Sequence, residues 1–136
     1  MNEKEKTLYD LLKKHLEQFP LYKQEHEVRA HTFNDGVIWL GYKTEQGIPR
    51  QTTHFDLNIT DSICYLLDIE LEREQRGKNN GKSLYKIIEN FAREAGCKAV
   101  RQTPSDWTKA GKTREEYLLN LGYKKIPDSI EVEKIL

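Results

Sequence analysis

The stretch from Ile63 to Arg101 constrains the fold more than any other part of the chain. Ile63-Cys64-Tyr65-Leu66-Leu67 is apolar on both faces, as a strand in the middle of a sheet is, and alternation returns in Asp68-Ile69-Glu70-Leu71. A polar loop with glycines follows, from Glu72 to Lys82. Behind it, Leu84, Ile87, Ile88, Phe91, Ala92 and Ala95 make one stripe at helical spacing, and Gly96 stands at the cap position. Lys98-Ala99-Val100-Arg101 reads as a short strand. Strand, helix and strand in that order imply a parallel crossover, because one pass of helix returns the chain to the end of the sheet where the first strand began.

The flanking segments add antiparallel strands and two further helices. Leu8, Leu11, Leu12, Leu16 and Phe19 recur at helical intervals behind Asn2 and Glu5, which have capping-box spacing, and Pro20 is expected to stop that helix. Val28, Ala30 and Thr32 alternate with Arg29, His31 and Phe33. Asn34-Asp35-Gly36 then signals a hairpin, with a return strand at 37–42. Thr53, Phe55, Leu57 and Ile59 alternate with His54, Asp56 and Asn58, and Thr60-Asp61-Ser62 is a turn. After the crossover, Thr113 and Glu116 cap a short helix that Gly122 ends. Residues 123–126 and 130–135 form a closing hairpin around Pro127-Asp128. With no repeat or linker among its 136 residues, the chain is expected to be one domain, 1–136, of α/β or α+β class with a mixed sheet.

Composition narrows the function. Twenty-two Lys and Arg balance twenty-two Asp and Glu, which argues against a nucleic-acid partner, since such proteins need a basic excess to displace counterions. No apolar run approaches the roughly 20 residues of a membrane helix. The first residues carry no secretory signal, so the expected location is the cytoplasm. Cys64 and Cys97 make neither a disulfide scaffold nor a zinc site, and His15, His26, His31 and His54 lack metal spacing, so no metal is expected.

The chemistry lies in the loop. A glycine-bearing turn between a strand and a helix holds phosphate because its N–H groups converge and the helix terminus adds positive charge. Arg76, Lys78 and Lys82 add formal charge at the same place. Gly81-Lys82-Ser83 lacks the glycine five residues before it that a Walker loop requires, and the spacing is not that of a Rossmann turn.

Gln75-Arg76-Gly77-Lys78-Asn79-Asn80-Gly81-Lys82-Ser83-Leu84 resembles, without a gap, the Arg/Gln-x-x-Gly-x-Gly/Ala loop of the GNAT superfamily of acyl-CoA-dependent N-acyltransferases. Tyr65 to Leu71 is similar to the strand that precedes that loop, and Tyr117-Leu118-Leu119-Asn120-Leu121-Gly122-Tyr123 to the family's later Tyr-x-x-Leu-Gly-Phe/Tyr element. The likeness is specific from about residue 63 to 123; before that the family usually begins with a strand and two helices. It implies a mixed, mostly antiparallel sheet with one parallel β-α-β crossover, flanked by helices. It implies acetyl-CoA as cosubstrate and an amine acceptor, either a small molecule or a protein. Oligomeric state stays open, a dimer included. Pantetheine would pair with Ile69, Glu70 and Leu71, and pyrophosphate would sit on Gly77, Lys78, Asn79, Asn80, Gly81 and Lys82, with Arg76 at the loop entrance.

Four departures from the family pattern bear on catalysis. Asn79 replaces a glycine, and asparagine is the residue that best tolerates left-handed backbone after glycine. Leu67 occupies the position of a frequent glutamate base, leaving its neighbour Asp68 as the candidate base. Leu118 occupies the position of the tyrosine that protonates the leaving thiolate, with Tyr117 one residue off, about 100° around a helix. The family's asparagine after the next strand has no counterpart between Thr103 and Thr113. Asp68 and Tyr117 are therefore the catalytic candidates, against plainer readings as a solvated strand position and as helix packing. Glu72 reads as solvated, His54 as an exposed residue and fallback base, Cys64 as core. Trp39 reads as packing, and Trp107 as packing or a pocket wall. Two functions compete: an N-acetyltransferase using direct transfer, and a catalytically degenerate GNAT-fold protein that binds CoA or a protein partner without turnover.

Overall fold

The computed structural model describes residues 1–45, 52–104, 108–109 and 112–136. Helix α1 (Glu3–Leu16) starts at Asn2, whose side-chain oxygen accepts the Glu5 N–H at 2.8 Å while its amide donates to the Glu5 carboxylate at 2.6 Å. The helix ends at Leu16, short of the expected Phe19. A turn bonding Phe19 N–H to Leu16 O at 2.8 Å then folds Phe19 into the core without help from Pro20.

Strands β1 (Glu27–Thr32), β2 (Ile38–Lys43), β3 (His54–Thr60) and β4 (Ile63–Glu70) form an antiparallel meander. Gly36 takes positive φ in the first hairpin, and the Asp35 carboxylate accepts the Val37 N–H at 3.0 Å. Asp61 and Ser62 make the β3–β4 turn with φ of 51° and 63°, the pair of left-handed residues that a two-residue hairpin demands. A single 3₁₀ turn (Arg73–Gln75) leads to α2 (Asn80–Glu94), which crosses to β5 (Ala99–Gln102), parallel to β4. A small hairpin of β6 (Thr108–Lys109) and β7 (Lys112–Thr113), absent from the sequence reading, precedes α3 (Arg114–Asn120). The chain closes with β8 (Lys124–Lys125) and β9 (Val132–Ile135), giving a sheet of order β1-β2-β3-β4-β5-β9-β8. This is the mixed, mostly antiparallel sheet with one parallel crossover.

Two irregularities in the middle of that sheet position the site. The β3–β4 register slips between Asp56↔Asp68 and Leu57↔Leu66, leaving Leu67 as the extra residue of a bulge, 46% exposed. The parallel pairing of β4 with β5 stops at Leu66↔Gln102, although β4 continues to Glu70. Pro104 lies two residues beyond and has no N–H with which to extend a central strand.

The core collects on one face. Leu12 and Leu16 of α1, Leu84, Ile88 and Phe91 of α2, and Phe55, Leu57 and Cys64 of the sheet are fully buried. Truncating any of these leucines to alanine is expected to cost about 2–5 kcal/mol. On the opposite face, Arg29, Gly41, Asp56 and Asp68 stand in one cross-strand row and His31, Trp39 and Asn58 in the next. Trp39 is half-exposed there, edge-on to Phe33 at 5.5 Å, and is not part of the core. The closing hairpin is anchored through Glu89 of α2, which accepts from Tyr123 Oη at 3.0 Å and Lys134 Nζ at 2.9 Å. Among the described residues no helix is long and apolar enough to cross a membrane.

Helices α1 and α2 are also tied at their surface. Lys14 Nζ and His15 Nε2 reach the Glu94 carboxylate at 3.0 and 2.6 Å. Those hydrogen bonds, Lys14 first, hold the Glu94 carboxyl below its usual range. A lowered folded-state value contributes stability above the unfolded carboxylate range and loses it as pH falls through the folded value. Glu94→Gln should therefore lower the melting temperature at pH 7, and the difference from wild type should vanish below the carboxylate range, as read by thermal melts at the two pH values.

Candidate active site

Where β5 stops, the β5-facing edge of β4 loses its strand partner. Among the described residues, Asp68 to Glu70 pair with β3 on one side, and the backbone from the bulged Leu67 to Glu70 pairs with no strand on the other. Ile69 and Leu71, each 9% exposed, point into the core and fix this edge. Side chains end the β3 pairing: Glu72 N–H donates to Thr53 Oγ1 at 3.1 Å, and Thr44 Oγ1 donates to the Glu72 carboxylate at 3.3 Å. Glu72, read from sequence as solvated, is half-buried in this threonine network.

The following loop turns sharply. Gly77 and Asn79 have φ of +77° and +63°, both left-handed, and a Cβ at Gly77 would meet nothing within 4 Å. Asn79 is the N-cap of α2, with no side-chain capping bond. The first backbone bond into the helix runs from Ser83 N–H to Asn79 O at 3.0 Å, so the N–H groups of Asn80, Gly81 and Lys82 precede the helical ladder. Lys78 and Lys82 are exposed beside them. Two other residues brace the loop. Asn80 is buried and donates to Gln75 O at 3.0 Å. Arg76 folds back on β4, with Nε to Leu71 O at 3.1 Å and Nη2 to Glu70 Oε1 at 3.2 Å.

Asp68 projects from the bulge with its side chain 58% exposed. Its Oδ2 lies 2.9 Å from His54 Nε2, and His54 Nδ1 lies 3.1 Å from Thr52 Oγ1. His54 is thus held at both nitrogens and is 19% exposed, not a free surface histidine. Sequence offered no signal for this pair, because the β3–β4 register creates it.

Tyr117 approaches the same junction from α3. Its hydroxyl lies 3.2 Å from where a Cβ on Gly81 would stand, while Leu118 is fully buried. Burial raises the Tyr117 phenol above its ordinary value, and the nearby Arg114 guanidinium, 6.0 Å from the ring, opposes that shift. Arg114 Nη1 also donates to Tyr85 Oη at 3.3 Å, and Tyr85 donates to Gln102 Oε1, the last residue of β5, at 3.0 Å. Cys64 is fully buried and its thiol is pushed up by burial, as a core residue's is. Trp107 lies outside the described residues.

A shallow depression lined by Lys125 to Ile130 sits at the far edge of the sheet, three strands from β4, and carries one carboxylate, Asp128. Among the described residues no group of three or more His, Cys, Asp or Glu side chains converges as a metal site would require.

No protein-family model and no curated protein sequence matches the chain. Solved structures do match it. A nourseothricin acetyltransferase aligns with a TM-score of 0.50 at 13% identity, over 84% of this chain and 86% of its own. An acetyltransferase from Bacillus cereus ATCC 14579 aligns with a TM-score of 0.50 at 15% identity, over 93% and 90%. The chain has the fold of these acetyltransferases.

The left-handed turn gives a direct test of the loop. Gly77→Ala adds a methyl that touches nothing, so its cost is conformational and should be about 1–2 kcal/mol in denaturant unfolding. A neutral result would mean that the loop relaxes out of this turn.

Proposed function

We propose that residues 1–136 are one acetyltransferase domain that moves an acetyl group from acetyl-CoA to an amine by direct transfer. The observation that carries this reading is the continuity of two features. The unpaired edge of β4 at Leu67–Glu70 runs directly into a left-handed loop whose N–H groups, from Gly77 to Lys82, open the N-terminus of α2. An extended, amide-bearing chain that ends in a diphosphate fits both in that order. Its amides would complete the β4 edge at Ile69, Glu70 and Leu71, and its phosphates would take the loop amides with Lys78 and Lys82 alongside. Arg76 would act at the loop entrance mainly by bracing it, through Leu71 O and Glu70.

Bound acetyl-CoA would supply a thioester whose carbonyl carbon accepts the amine nitrogen and whose sulfur departs as a thiolate. The chain's own residues would handle protons and position. Asp68 would take the proton released by the acceptor ammonium, directly or through a water, and its exposure makes it reachable. Tyr117, a half-buried phenol whose desolvation raises it above its ordinary value, would donate its hydroxyl proton toward the departing sulfur. Neither the fold nor the site selects among amines, so a small molecule or a protein lysine or N-terminus would serve as acceptor.

Two experiments follow. A charge-reversing double variant, Lys78→Glu with Lys82→Glu, should weaken CoA binding by about 10-fold or more in calorimetry while leaving the ligand-free melt unchanged, since both side chains are exposed. Unchanged affinity would remove the phosphate assignment. In a thiol-release assay with acetyl-CoA and a panel of polyamines, amino acids and lysine peptides, Asp68→Asn should lower kcat/KM by about 100-fold. Tyr117→Phe should cost less, because a thiolate leaves without full protonation. A wild type that binds acetyl-CoA and acetylates nothing in the panel would favour the non-catalytic reading.

A further inference from the structure

The carboxylates on the open face of the sheet are not equivalent. Asp56 faces Arg29 Nη2 at 3.5 Å, Glu27 faces Arg29 Nε at 3.4 Å and Lys43 Nζ at 3.7 Å, and Glu70 faces Arg76 at 3.2 Å. Each has a permanent cation. Asp68 has an imidazole.

We propose that His54, held from behind by Thr52, is a positioning residue that fixes the Asp68 carboxylate with one oxygen bound and the other turned outward to the acceptor's ammonium group. This rests on the acetyltransferase reading above.

The geometry sets the tautomer. An ionised carboxylate only accepts, so at 2.9 Å the ring nitrogen facing Asp68 Oδ2 must carry the proton. Neutral His54 is then the Nε2–H form, and its Nδ1 lone pair accepts the Thr52 hydroxyl at 3.1 Å. The opposite tautomer would set a lone pair against the carboxylate and turn an N–H on a hydroxyl that has lost its acceptor. Thr52 is 2% exposed, so the rear anchor is fixed within the fold. The order is solvent, carboxylate, imidazole, hydroxyl. The carboxylate faces out and the histidine stands behind it, the reverse of a hydrolase triad.

Such a rear support matters because Asp68 follows a bulge, where the ladder is broken and backbone alone does not fix the side chain's direction. Binding Oδ2 leaves Oδ1 as the oxygen that receives the proton. A base held this way loses little conformational entropy when the acceptor arrives.

The test uses the full chain and two independent readouts. In the ligand-free protein, ring ¹⁵N spectra should show His54 as the Nε2–H tautomer, and Asp68→Ala should release that proton to fast exchange. In the thiol-release panel, His54→Leu, which has no donor, should lower kcat about 10-fold or more with KM for acetyl-CoA unchanged. His54→Gln, which keeps an N–H donor, should stay within roughly twofold of wild type. Thr52→Val should fall between them, and it serves in place of His54→Leu should that variant melt at assay temperature. A rescue by glutamine is not expected of a residue that only packs. An active wild type with the other tautomer, with a ring proton indifferent to Asp68→Ala, or with equal losses in the leucine and glutamine variants overturns the positioning role alone. A wild type that shows the Nε2–H pairing and acetylates nothing overturns the acetyltransferase reading, and this role with it.

Discussion

A strand in the middle of a sheet must satisfy its backbone on both sides, and among the described residues β4 has strand partners on both sides for only half its length. On the β3 side the pairing runs from Ile63 to Glu70; on the β5 side it ends at Leu66. The short partner is the cause, since β5 has four residues and Pro104 follows two positions later. Everything else in the candidate site is arranged around that gap. Asp68 projects from the bulge at its start, Glu70 and Leu71 hold Arg76 at its end, and Gln102, the residue at which β5 gives out, is gripped by Tyr85 from α2.

The loop after that edge is expensive to form and cheap to use. Two left-handed residues, one of them asparagine, cost of order 1–2 kcal/mol where the side chain is not glycine. Against this stand the bonds of Arg76 to Leu71 O, Asn80 to Gln75 O, and Glu72 to Thr53 and Thr44, all made within the chain. The turn is therefore set by contacts within the chain itself. Basic side chains at the loop divide their work accordingly: Arg76 braces, while Lys78 and Lys82 stand exposed.

Local chemistry explains what was legible in the sequence. The crossover, the α2 stripe, the Asn2–Glu5 cap and the left-handed turn at Asn79 each follow from residues within a few positions of one another, where period and conformational preference act directly. Features made by register were not legible. His54 and Asp68 meet because β3 and β4 pair with a bulge, and nothing in either strand alone announces that slip. Glu72 reads as solvated until Thr44 and Thr53 are placed beside it. Phe19 continues a helical stripe in sequence, yet a turn delivers it to the core as well as a helix would, so spacing alone could not find the end of α1. The resemblance in the loop segment implies an acetyltransferase fold, and the solved structures share that fold.

Tyr117 is placed by the burial of its neighbours. On an isolated helix, moving from 118 to 117 turns the side chain about 100° away. The rotation of α3 is not free, however. Leu118 is fully buried, and Tyr123 just beyond the helix is buried too and donates to Glu89 of α2. Those anchors commit the 118 position to the core, and the position that then looks toward the head of α2 is 117. Its hydroxyl fits because Gly81 has no side chain: a Cβ there would stand 3.2 Å from Tyr117 Oη and 3.3 Å from Leu71 Cδ1. Gly81 sits in ordinary helical backbone, so it is not needed for a turn. The glycine at 81 is required by the tyrosine, because any side chain there would meet the phenol.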